Sequence, residues 1–203
     1  MSTRVFLGKA LIASILIVGL AACVSDLEKK GAISAVNEGF RPEYDRIIAS
    51  EGVRIVDAPA GEAFMAMRVA FASLGMRTES QDQAIGYLLV SGDAPLPLDE
   101  AGWDAASAMD LPLLQKLIKP HVGVAANFVE FEPEGLSVRV SATFVAKSES
   151  STEVALTVRL QEKKPARSGW PRREYVSPNV LRAGLGRVWT AFDHELNSKP
   201  GMH

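Results

Sequence analysis

Apolar residues recur with two different periods along this chain. In residues 136–146 and 152–161 every second position is apolar. Val138, Val140, Ala142 and Phe144 share one face, and Val154, Leu156, Val158 and Leu160 share one face of the following segment. That period belongs to strands with one side buried. The polar stretch 147–151 joins the two, and residues 128–132 are expected as a third strand ahead of the Pro133-Glu134-Gly135 turn. Earlier, Val53, Ile55 and Asp57 alternate as a short strand. Residues 77–81 and 85–90 read as two more strands, divided by a turn at Asp82-Gln83.

Other segments follow the 3.6-residue period. Phe64, Met67, Phe71 and Leu74 form one stripe, which Gly75 is expected to stop in the left-handed conformation. Pro95 and Pro97 then break the chain, and Asp99 with Glu100 opens a helical region with Trp103 as its buried residue. Asp110 reads as a fresh cap ahead of Pro112, with Leu111, Leu114, Leu117 and Ile118 facing inward, so a broken helical pair is expected. The last helix starts with Ser177 as cap and Pro178 at its first position, and carries Leu181, Leu185, Val188, Trp189, Phe192 and Leu196 inward. A mostly antiparallel sheet with helices on one face is an α+β two-layer sandwich.

The start of the chain is of another kind. Arg4 and Lys9 precede an apolar run from Ala10 to Ala22, which is shorter than the roughly 20 residues a transmembrane helix needs. Residues 1–22 therefore read as a signal peptide. It ends in Leu20-Ala21-Ala22-Cys23, which resembles the lipobox of bacterial lipoproteins, and Cys23 is the single cysteine of the chain. The resemblance implies that Cys23 becomes the mature N-terminus, with a thioether-linked diacylglycerol and usually an amide-linked acyl chain. Two or more chains suffice for stable membrane attachment. The alternative is an ordinary buried thiol. Val24 stands where many enteric-type bacteria place the aspartate that retains a lipoprotein in the inner membrane. The expected location is thus the periplasmic side of a membrane, outer rather than inner.

Residues 23–51 are charged and polar with scattered apolar positions, interrupted by Gly31 and Gly39. Two readings stay open: a lipidated tether ahead of a globular domain at 52–203, or a first core-docked helix carrying Tyr44, Ile47 and Ile48.

Composition narrows the function. With 203 residues, 47% hydrophobic and 23% charged, the chain has apolar material for a core, and one cysteine allows no internal disulfide. A formal charge of -2 argues against a nucleic-acid partner, because phosphates demand a dense basic surface. Losing Arg4 and Lys9 with the leader makes the balance more acidic. The three histidines include His121 at a helix end and His194 within Asp193-His194-Glu195. Consecutive helical residues point about 100° apart and cannot converge on one metal ion. Gly184-Leu185-Gly186 lies inside the last helix, where close packing explains it better than phosphate binding. Ser91-Gly92-Asp93 reads as a strand-end turn, not a nucleophile elbow. No catalytic residue, metal site or cofactor is expected, apart from the covalent lipid on Cys23.

Two charged clusters remain. Arg159, Lys163, Lys164, Arg167, Arg172 and Arg173 surround Trp170. From these, Lys163, Lys164, Arg167, Trp170, Arg172 and Arg173 make a candidate patch for anionic headgroups or an acidic partner, against the alternative of a solvated loop. Glu130, Glu132 and Glu134 are expected on the wet side of a strand, or against a basic partner.

Around Ala63-Phe64-Met65-Ala66-Met67, Leu74-Gly75-Met76, Gly86-Tyr87 and Arg187-Val188-Trp189, residues 52–197 resemble small proteobacterial envelope lipoproteins. In architecture they resemble the domains of the C component of the outer-membrane barrel-assembly machinery. The resemblance implies a lipid-anchored, non-enzymatic binding or assembly module acting on envelope proteins. An envelope hydrolase or transferase, and a hydrophobic-ligand carrier using the space between sheet and helices, are the competing expectations.

Overall fold

The computed structural model describes residues 24–164 and 168–198. The order is α1 (Asp26–Glu51), β1 (Val53–Val56), α2 (Ala60–Ser73), β2 (Arg77–Asp82), β3 (Tyr87–Asp93), α3 (Glu100–Val122), a 3-10 segment (Gly123–Phe128), β4 (Leu136–Ser148), β5 (Ser151–Glu162) and α4 (Pro178–Asn197). The five strands form one antiparallel sheet in the order β1-β5-β4-β3-β2. The fold is α+β, as the two periods require.

One face of the sheet is apolar and covered. Val138, Val140, Ala142 and Phe144 of β4 and Val154, Leu156, Val158 and Leu160 of β5 are all buried, and α2 and α4 pack over them and on each other. Phe64 of α2 meets Phe144 edge-on, with 5.3 Å between ring centres. The opposite face carries the Ser141–Thr157 hydroxyl pair at 2.5 Å and the Arg139–Glu79 ion pair. Both edges of the sheet are unattractive to a further strand. β1 has four residues, and all six residues of β2 are polar and exposed.

The β2–β3 turn lies at residues 83–86, later than Asp82-Gln83, because Gly86 turns the chain with φ +66°. A Cβ there would stand 2.3 Å from the carbonyl oxygen of Phe144, so no other residue fits. Gly75 has φ +78° and closes α2 as expected. Ser91-Gly92-Asp93 lies within β3, paired to Arg139, Val138 and Ser137, and is not a turn.

Residues 26–51 are one helix whose Val36, Phe40, Tyr44 and Ile47 are buried, so the folded unit reaches back to Asp26 and the core-docked reading holds. Gly31 and Gly39, rather than interrupting it, allow α1 to cross α3 closely: a Cβ at Gly39 would fall 2.4 Å from Leu117, and one at Gly31 2.5 Å from the His121 ring. The helical pair is a single helix, α3, with Pro112 and Pro120 inside it.

Asp110 does not cap its own helix. It is 4% exposed, and its carboxylate accepts from the Asn179 backbone N–H at 2.8 Å and the Asn179 side-chain amide at 2.7 Å, thereby capping α4. Ser177 holds the N-cap position of α4 without a side-chain capping bond.

Residues 128–132, expected as a strand, form none. Residues 129–132 belong to no helix or strand and pair with none, because Phe131 is drawn onto Trp103. The two rings stack at 5.8 Å and Trp103 Nε1 donates to the Phe131 carbonyl at 2.9 Å.

Candidate functional site

At one end of the molecule the first half of α1, the last half of α3, residues 129–135, and Glu162, Lys164, Trp170, Pro171 and Arg173 surround an open groove of about 930 Å³. Its floor is apolar, with Ile33, Val36, Leu114, Ile118, Val129 and Phe131. Its rim carries both signs of charge: Lys29, Lys164 and Arg173 against Asp26, Glu130, Glu134 and Glu162, with Trp170 among them. A pocket this size with an apolar floor and a few polar groups has the form of a small-molecule or peptide site.

The candidate basic patch divides. Lys164, Trp170 and Arg173 come together on the groove rim. Lys163 is drawn away to Asp93, with Nζ 2.9 Å from its carboxylate, and Arg173 is itself paired with Glu162 at 3.2 Å. Arg159 lies over the rings of Tyr44 and Tyr175, at 4.7 and 5.0 Å. Burial pushes the Tyr44 phenol above its usual pKa, and the Arg159 charge works against that rise. Arg172 is exposed, and its backbone carbonyl accepts from Asn37 Nδ2 at 2.7 Å. Asn37 Oδ1 in turn accepts from the Glu174 N–H at 3.1 Å, so one residue of α1 fixes this segment. Lys30 Nζ stands 5.5 Å from the centre of the Trp170 ring. Cys23 and Arg167 lie outside the described residues.

Glu130, Glu132 and Glu134 are not on a strand face. They lie on an irregular segment whose other side forms a second depression of about 600 Å³ with Glu100 and Asp104 of α3. Among the described residues no Lys or Arg lines it. Phe131, Glu130 and Glu134 belong to both depressions, so one short segment separates a mixed-charge groove from an acidic cleft.

The remaining candidates have structural roles. Asp193 pairs with Arg54 at 3.3 Å, and His194 Nδ1 lies 3.2 Å from Glu195 Oε1 on an exposed helix face. Among the described residues no group of three or more His, Cys, Asp or Glu could hold a metal ion. Gly184 needs no close approach, since a Cβ would meet Pro97 at 3.7 Å, and one at Gly186 would meet nothing within 4 Å. The carboxylate held furthest below its usual pKa is Glu43, at about 2. The hydrogen bond from Arg46 causes this first, with burial opposing it and Arg182 adding to it. Glu28 and Glu79 are also lowered, by Ser25, and by Ser91 and Arg139, respectively. None of these carboxylates lines either depression.

Sequence reasoning missed Lys29, Ile33 and Val36 as groove residues because it left 23–51 undecided. The signal was present, since Val36, Phe40, Tyr44 and Ile47 keep a helical period, but two glycines and Pro42 obscured it. No helix among the described residues is long and apolar enough to cross a membrane. No protein-family model matches the chain, and neither a curated protein nor a solved structure shows significant similarity to it.

Proposed function

We propose that this protein is a lipoprotein held on the periplasmic side of a bacterial membrane by Cys23, and that its folded part is a non-enzymatic binding or assembly module for other envelope components. Val24 after the cysteine favours the outer membrane. The observation that carries the reading is how little chain separates the lipobox from the fold. α1 starts at Asp26 under a capping box, in which the Ser25 N–H donates to Glu28 at 2.6 Å and the Glu28 N–H donates to Ser25 Oγ at 3.3 Å. Only Val24 and Ser25 intervene, so a lipid on Cys23 holds the groove end of the molecule against the headgroups.

The test is in-cell crosslinking and pull-down of the full chain beside its Cys23→Ser form, with the mass of the processed N-terminus measured on the same material. Acylation at Cys23, and an envelope protein captured by the lipidated form alone, are expected. A processed protein whose Cys23 carries no lipid overturns the anchor, and equal capture by both forms overturns the dependence of binding on it. The groove's apolar floor favours one second reading, a carrier of an apolar ligand. Such a ligand would sit in the groove, because the space between α4 and the sheet is only about 20 Å³ and holds at most a water. Displacement of a fluorescent fatty acid from the purified protein checks that reading.

A further inference from the structure

Leu27, Val124 and Phe128 are 79%, 71% and 73% exposed. Leu27 is distant in sequence from Val124 and Phe128, which share one 3-10 segment, and the fold carries all three to one end. α1 and α3 run antiparallel, with Gly31 against His121 and Gly39 against Leu117. Leu27 lies one turn, about 6 Å, before Gly31. The 3-10 segment holding Val124 and Phe128 begins immediately after Val122. Asp26 and Lys29 line the same groove as Val122 and Val129, which confirms the shared end. Trp170 is there too, half-buried beside Lys30.

Exposed apolar side chains are ordinary where they stand singly, as Ile85 does at 73%, but three gathered at one end make the kind of patch that a partner or a lipid surface covers. The chain itself says what lies nearest. Three peptide links put the Cα of Cys23 no farther than about 11 Å from that of Asp26. On the lipoprotein reading above, on which the placement of the membrane rests, this end is therefore the one brought to the lipid surface.

We infer that Leu27, Val124 and Phe128 form a bilayer-seating face. They enter the boundary between headgroups and acyl chains, Lys29 and Lys30 meet lipid phosphates, and Trp170 sits at the interface level. Asp26 and Glu28 on the same turn of α1 offset the two lysines, so apolar contact carries the binding and salt affects it little. The face fixes the tilt of the domain and turns the groove mouth toward the bilayer.

The experiment uses a chain beginning at residue 24, which keeps every core residue from Val36 to Phe192, sedimented with vesicles of phosphatidylethanolamine and phosphatidylglycerol. Replacing Leu27, Val124 and Phe128 together by Ser should lower vesicle partitioning at least about tenfold, with the urea midpoint unchanged. Trp103 and Trp189 are each 1% exposed, so quenching of tryptophan fluorescence by brominated acyl chains reports Trp170, and the same variant should abolish it. Unchanged partitioning overturns the inference, as does binding that high salt removes and the three substitutions do not. A variant that loses self-association in sedimentation while still binding vesicles assigns the face to a second copy and also overturns it. Because this chain carries no lipid, its result stands apart from that of the Cys23 mass measurement. An unmodified Cys23 with intact vesicle binding defeats the anchor and not the face.

Discussion

The space under α4 and the groove at the end of α1 are walled by the same kinds of residue, yet one is filled and the other open. Under α4, Leu96, Val138, Val140, Val158, Val180 and Leu181 leave about 20 Å³, whereas Ile33, Val36, Leu114, Ile118 and Phe131 floor about 930 Å³. The difference lies in what closes each space. Around the core, polar groups are tied to distant backbone: Trp189 Nε1 donates to the Glu51 carbonyl at 2.8 Å, and Thr152 Oγ1 to that of Ala58 at 2.7 Å. The groove walls are joined by Asn37, which ties α1 to Arg172 and Glu174, and by Trp103, which ties α3 to Phe131, while the ion pair of Arg173 with Glu162 lies within one wall. Apolar composition therefore does not distinguish a core from a site.

That contrast can be broken by mutation, and the largest effect belongs to the residue that links both regions. Trp103→Ala removes a fully buried ring and the bond that holds Phe131, and should cost about 3–5 kcal/mol in urea unfolding. A cost below about 1 kcal/mol would mean that residues 129–135 are anchored by something else.

Asp110→Ala leaves the Asn179 N–H without its carboxylate and should cost about 1–3 kcal/mol. Hydrogen exchange should localise the loss to the first turn of α4.

The glycines sharpen the comparison in opposite directions. Gly39→Ala forces a methyl against Leu117 and should destabilise by about 1–3 kcal/mol. Gly184→Ala meets only ordinary contact with Pro97 and should stabilise the helix by about 0.5–1 kcal/mol. Thermal unfolding of the two variants should therefore move in opposite directions.

Glu43 supplies a pH test. Its folded pKa is depressed from 4.5 to about 2, so its contribution is complete above 4.5 and disappears as pH falls toward 2. The carboxylate is one-third exposed, so the contribution is at most about 1 kcal/mol. Urea midpoints of wild type and Glu43→Gln should differ at neutral pH and converge near pH 2. The smallest expected effect is at the open end: Phe128→Ser should leave stability within about 0.5 kcal/mol, as measured in the same unfolding series.

The strands were legible where alternation was strict. Val138 to Phe144 and Val154 to Leu160 face the core as their period requires. Residues 128–132 alternate as well, yet Phe131 is captured by Trp103, and with no strand partner the segment stays irregular. Of the candidate site, the cations around Trp170 were visible as a run. That Asp93 takes Lys163 and Glu162 takes Arg173 was not, since Asp93 reaches Lys163 only through the pairing of β3, β4 and β5.

Taken alone, the order of residues determined the α+β class, the inward faces of β4 and β5, the buried stripes of α2 and α4, and the stop at Gly75. These depend on period and on backbone freedom, which are properties of neighbours in the chain. Tertiary structure alone decided that α1 docks along α3, that Asp110 caps a helix distant in sequence, and that Leu27, Val124 and Phe128 share one exposed end. Each of those depends on which segments meet, and a local pattern of apolar and polar residues fixes the face a segment buries without naming the surface it is buried against.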